Sequence, residues 1–81
     1  HSTTENLFEQ FLHCEVESIK LSESGLALPA YEQCIKSSHI FNLLDAKGVI
    51  SVTDRAQYIR RVRKLALAAA QTWNQSSEGE Q

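Results

Sequence analysis

The sequence predicts an all-α fold, an antiparallel three-helix bundle, and three observations carry that prediction. Apolar residues recur at three- and four-residue intervals along three segments, the mark of helices with one face turned inward. Gly25 and Gly48 punctuate the chain between those segments, where a helix must stop without a Cβ clash. Strand signals are confined to the short apolar patch Val49 to Val52, which would have no partner for its backbone and therefore reads as a loop tucked against the core. With 81 residues the chain forms one domain at most. A chain of that size buries roughly 60% of the surface its unfolded form exposes. A single proline, three glycines and a hydrophobic share of 42% exclude disordered and collagen-like classes.

The first helix is expected over about residues 4–24, with Thr4 as N-cap and Gly25 as the stop. Leu7, Phe8, Phe11, Leu12, Val16 and Ile19 make its apolar stripe, with Glu9, His13, Glu17 and Lys20 opposite. The second helix is expected over about 29–46, because Pro29 suits a first turn whose N–H groups have no intrahelical acceptor. Tyr31, Cys34, Ile35, Phe41 and Leu44 share one broad face while Ile40 and Leu43 lie elsewhere, so this helix is placed centrally with little of it facing water. The third is expected over about 52–74, opened by the capping pair Ser51 and Asp54. Its heptad rhythm runs Ile59, Val62, Ala66, Ala69 and Trp73; the alanines allow close helix approach, and Trp73 covers the open end of the core. Residues 75–81 read as a disordered tail, and the short connections favour antiparallel neighbours.

Three charged residues interrupt the apolar pattern. Glu15 falls within the stripe of the first helix, Arg55 falls beside Ile59 on the third, and Asp45 opposes the dipole at the end of the second. We expect a structural polar network in which Asp45, with Glu15, pairs with Arg55 or Arg63, assisted by hydrogen bonds from Ser38 and Asn42. Breaking a buried pair of this kind costs about 3–5 kcal/mol, so Asp45→Ala should destabilise far more than Glu17→Ala. Arg60, Arg61 and Lys64, flanked by Arg63, form a positive ridge on the solvent side of the third helix. That ridge has two readings, contact with RNA phosphates or a solvated face that meets the acidic face of the first helix or a partner subunit.

Other chemistry is poorly supported. His13, Cys14, Cys34 and His39 have zinc-compatible side chains but lack the paired spacing of a zinc site. Ser51 and Asp54 are explained as a cap, and isolated glycines at 25, 48 and 79 form no phosphate-binding loop. No catalytic, cofactor-binding or metal-binding residue is expected within the chain. Cys14 and Cys34 sit among apolar residues at helical spacing, which in a sequence without a secretory pattern implies buried thiols in a reducing, cytoplasmic setting. No apolar run approaches the roughly 20 residues of a membrane span, and the start at His1 suggests a piece of a longer protein.

Several strings carry a resemblance: Leu28-Pro29-Ala30-Tyr31, Lys36 to His39, Phe41-Asn42-Leu43-Leu44-Asp45-Ala46-Lys47-Gly48, and Ile50-Ser51-Val52-Thr53-Asp54-Arg55 with Tyr58-Ile59 and Arg61-Val62-Arg63. Over roughly Leu7 to Trp73 the chain closely resembles the C-terminal helical region of the bacterial glycyl-tRNA synthetase α subunit. That resemblance implies a class II ligase which activates glycine with ATP and magnesium and transfers it to tRNA, its α and β portions being separate or joined. It also implies that the ATP and glycine sites lie in a sheet-based core upstream, so no catalytic residue carries over to this region. Asp54 and Lys47 stand where relatives commonly have glutamate and arginine, and a lysine cannot reproduce bidentate guanidinium contacts. Implied partners are the catalytic core of the α subunit, the β portion and, if the ridge meets phosphates, tRNA.

Overall fold

The computed structural model describes residues 3–80, with side chains described for residues 3–75. Three α-helices run in order, α1 (Thr3–Glu23), α2 (Ala27–Ala46) and α3 (Val52–Glu80), with no strand among the described residues. All three pack against one another, giving the helical bundle expected. Hydrogen bonds fix the topology: Ser18 of α1 reaches Ala30 of α2, Asp45 and Cys34 of α2 reach Arg55 and Val62 of α3, and Ser22 of α1 meets Thr72 of α3. Hence α2 is antiparallel to both neighbours, and α1 and α3 are parallel.

Both turns form as their glycines dictate. Gly25 and Gly48 have φ of 81° and 74°, a region L-residues avoid. Behind α1, the Leu26 N–H bonds the Leu21 carbonyl at 2.9 Å and the Gly25 N–H bonds the Ser22 carbonyl at 3.0 Å, the paired bonds of a Schellman stop. Ser51 caps α3, its hydroxyl accepting the Asp54 N–H at 3.1 Å.

Three boundaries differ from expectation. α1 already includes Thr3, so Thr4 is helical and not the cap, and the residue before the helix lies outside the described residues. α2 begins at Ala27, which puts Pro29 third in the helix; its missing N–H still falls among first-turn groups with no intrahelical acceptor. α3 continues to Glu80, past the expected stop at Asn74 and through most of the expected tail; Gln75 to Glu80 contains no proline and no glycine before Gly79, so nothing interrupts the backbone ladder. Gln81 lies outside the described residues.

The core divides along its length. At one end Leu7, Phe11, Phe41, Leu44 and Ile50 are buried together, with Phe8, Ile40, Tyr58, Ile59 and Val62 packed against them. Ile50 alone of the connecting apolar patch is buried; Val49 and Val52 face solvent. Tyr58 organises this end, its ring edge-on to Phe11 at 4.9 Å between centroids and stacked on Phe41 at 5.8 Å. Toward the other end the helices meet through small side chains, with Ala27, Ala30, Cys34, Ser18, Ser37, Ala69 and Thr72 all buried. Ser18 donates to the Ala30 carbonyl at 2.9 Å and Ser37 to the Cys34 carbonyl at 2.6 Å, which satisfies both hydroxyls inside the interface.

The inward faces of all three helices depart from the expected stripes. On α1, Leu7, Phe11, Cys14 and Ser18 point to the core, whereas Leu12, Val16 and Ile19 are exposed. On α2, Leu28, Tyr31, Ile35 and Leu43 are exposed, so the central helix has more apolar surface in water than expected. On α3 the face is rotated toward α1: Tyr58, Leu65 and Thr72 join Val62 and Ala69, while Trp73 stays half exposed and does not close the core. A helix that serves two neighbours turns the sector between them inward, which a single heptad seam does not describe. The Cα extents of 46 × 24 × 14 Å show a flattened bundle. A tight triangle of helices about 8–10 Å apart would be nearly as thick as wide. α2 lies against both partners, whereas α1 and α3 meet over less of their length.

Candidate functional site

The charged residues singled out in the sequence occupy two separate places. Asp45 and Arg55 meet at the turn between α2 and α3, where Arg55 Nε and Nη2 both donate to Asp45 Oδ1, at 3.0 and 2.7 Å. The pair is open to solvent, its side chains 47% and 33% exposed, so it is not the buried bridge expected and its net worth is about 0–1 kcal/mol. A turn has few atoms around it to exclude water, which the pattern of apolar spacing could not convey.

Glu15 is partnered by Arg61, not by Arg55 or Arg63. Arg61 Nε and Nη2 each donate to a different carboxylate oxygen, at 2.9 and 2.6 Å, in a two-pronged contact from α3 to α1. The guanidinium also lies over the rings of Phe11 and Tyr58, 5.0 and 4.9 Å from their centroids. The hydrogen bonds from Arg61 hold the Glu15 carboxyl below the usual range, against a weaker opposing effect of burial; Glu15 in turn holds the Arg61 guanidinium more firmly protonated. Arg61 therefore belongs to the aromatic end of the core and is lost from the expected ridge. Glu15 and Arg61 stand at positions whose meeting depends on how α3 is rotated, and α3 turns Arg61 toward α1.

Arg60, Arg63 and Lys64 remain exposed along α3. Ser38 and Asn42 do not join either ion pair. They line a small recess with Phe41, Ile59, Val62 and Arg63. Between α1 and α3 lies a groove of about 410 Å³ whose walls include Ile19 and Glu23 on one side and Lys64 and Ala68 on the other, with Glu15 and Arg61 beside them. Ser22 also borders it and carries a buried hydroxyl oxygen with no partner among the described residues.

Cys14 and Cys34 are buried and free, and burial pushes both thiols up, with Lys36 pulling Cys14 partly back. The Cys34 thiol donates to the Val62 carbonyl at 3.5 Å. Cys14, His13 and His39 border a groove between α1 and α2 of about 540 Å³, yet no group of three or more histidine, cysteine or acidic side chains among the described residues is placed to hold a metal. No described helix is long and apolar enough to cross a membrane. Another recess, about 250 Å³, lies where α2 begins and α3 nears its end, walled by Leu28, Tyr31, Ala70 and Trp73. Leu28 is 62% exposed and Trp73 50%, so this end carries an apolar surface that none of the described residues covers.

Compared with known proteins, the chain is matched over residues 1–78 by the family model described as glycyl-tRNA synthetase alpha subunit.

Proposed function

We propose, from the premise that this chain belongs to the glycyl-tRNA synthetase alpha subunit family, that it is the non-catalytic C-terminal helical domain of that subunit. In this reading it supports glycylation of tRNA by bracing the catalytic core and the β portion, in the cytoplasm. ATP, magnesium and glycine are handled by parts of the enzyme outside this domain. One observation carries the reading, the apolar surface of Leu28, Tyr31 and Trp73 around its recess. Three large side chains left in water beside an alanine-lined wall are what a domain shows when another domain normally covers it. Paired charges here are structural, because Arg61 is consumed by Glu15 and Arg55 by Asp45.

The test is Leu28→Glu with Trp73→Glu in the complete α and β enzyme. We expect glycylation and thermal stability of the enzyme to fall together, while the 81-residue chain carrying the same changes keeps its helicity. An enzyme unaffected by both changes would overturn the docking role.

A second reading, direct contact with tRNA phosphates, is favoured by the exposure of Arg60, Arg63 and Lys64 along one side of α3. Charge reversal at the three positions would then weaken tRNA binding and flatten its dependence on salt. Unchanged tRNA affinity with weaker association of the α and β portions would instead favour the bracing role.

A further inference from the structure

Two of the recesses lie on one line. Along α2, Leu28, Tyr31, Ile35, Ser38 and Asn42 follow one another at alternating three- and four-residue steps, and along α3 so do Ile59, Arg63, Ala66, Ala70 and Trp73. That rhythm keeps each row on one side of its helix. All of these residues are at least partly open to solvent. Because α2 and α3 are antiparallel, the rows meet in opposite order: Leu28 and Tyr31 border one recess with Ala70 and Trp73, and Ser38 and Asn42 border the other with Ile59 and Arg63. The two recesses are therefore the ends of a single furrow along the α2 and α3 seam, about 15 Å apart by the rise of the helix. Bonds from Cys34 to Val62 and from Arg55 to Asp45 tie the two helices together along it.

The ends of the furrow differ in chemistry. One is the apolar surface of Leu28, Tyr31 and Trp73. The other has a floor of Phe41, Ile59 and Val62 beside three polar side chains, and none of its lining residues is acidic. The nearby Asp45 carboxylate is taken by Arg55, whereas Arg63, Ser38 and Asn42 have no side-chain partner among the described residues. We infer that a helix from elsewhere in the assembled enzyme lies in this furrow, its apolar side chains on Leu28, Tyr31 and Trp73, and an aspartate or glutamate about ten residues along it held by the Arg63 guanidinium. The Asn42 amide and the Ser38 hydroxyl donate beside that contact. The inference rests on the bracing role proposed above and names the residue type that continues its apolar contact. Heptad-spaced rows on two packed helices receive a third helix, and an unpaired guanidinium over an apolar floor free of acids suits a single carboxylate. Nucleic acid fits less well, because its backbone offers charge after charge. Arg63 is the one cation lining either recess among the described residues; Arg60 borders neither, and Lys64 borders the groove between α1 and α3.

The experiment places a photo-crosslinking benzoyl-phenylalanine at Ile35, which is exposed midway along the furrow, in the complete enzyme, and maps the crosslinked peptide by mass spectrometry. The expected product joins Ile35 to a helical segment of the enzyme with apolar residues at heptad spacing and an aspartate or glutamate. Arg63→Glu should cut the yield about tenfold, as loss of a charged hydrogen bond does, and Asn42→Asp should lower it too. Replacing the acid of the captured segment by lysine should restore the yield in Arg63→Glu. Capture of RNA, capture of a segment without an acid, a yield indifferent to Arg63→Glu, or no capture at Ile35 would overturn the inference. The same probe at Trp73 separates the two claims. Crosslinks from Trp73 with none from Ile35 would leave the bracing role and remove the carboxylate contact, whereas silence at both would remove both.

Discussion

The two ends of this bundle are held by different means. Where α1 begins and α2 ends, bulk holds the helices: Phe11, Phe41 and Tyr58 stack around Leu44, and the Glu15–Arg61 pair closes over the rings. Toward the other end close approach does so, with alanines, cysteines and satisfied hydroxyls letting backbones near each other. An aromatic core fails when volume is removed, and a small-residue seam fails when volume is added.

The largest break should come from Phe11→Ala. Phe11 is fully buried in the aromatic cluster, and its loss should lower unfolding stability by about 3–5 kcal/mol, read as an earlier midpoint in urea. Next is the opposite insult at the other end. Ala30 is also fully buried, and its carbonyl receives the Ser18 hydroxyl, so Ala30→Leu should push α1 from α2 and cost about 1–3 kcal/mol. If Ala30→Leu is harmless, the seam is looser than its burial indicates and the contrast between the ends disappears.

Glu15→Gln should come third, at about 1.5 kcal/mol near neutral pH, the lower end for hydrogen bonds to charged groups because both side chains still touch solvent. Its pH signature is more diagnostic. The folded-state carboxyl titrates lower than the unfolded one, so its stabilisation is present above the usual carboxylate range and is lost as pH falls through the lowered folded value. Stability of the parent chain should therefore decline in acid more steeply than that of Glu15→Gln, measured by urea midpoints across the acidic range. Asp45→Ala should do least, under about 1 kcal/mol, because that pair is open to water, and it should be hard to tell from Glu17→Ala.

The number and order of the helices, both glycine stops and the Ser51 cap were legible in the sequence, because each is set by local spacing or by a single residue's backbone freedom. The direction of each face was less legible. Leu12, Val16 and Ile19 read as core because they are apolar at helical spacing, yet Ser18 took an inward position beside Cys14, whose burial the sequence did suggest. Small residues give weak hydropathy signals, and their value here is shape, which emerges only when two helices are brought together. The same blind spot hid Arg61. Its charge argued for solvent, and only the position of Tyr58 and Phe11 beneath it explains why a guanidinium turns inward. The burial of Leu65 and Thr72, at Leu65 without any polar cue and at Thr72 through its bond to the Ser22 carbonyl, follows from the same rotation of α3.

An odd number of helices has a geometric result. Because the chain goes up, down and up again, its entry and its exit emerge at opposite poles of a body 46 Å long. The first turn of α1 and the last turn of α3 are thus separated by most of the length of the bundle.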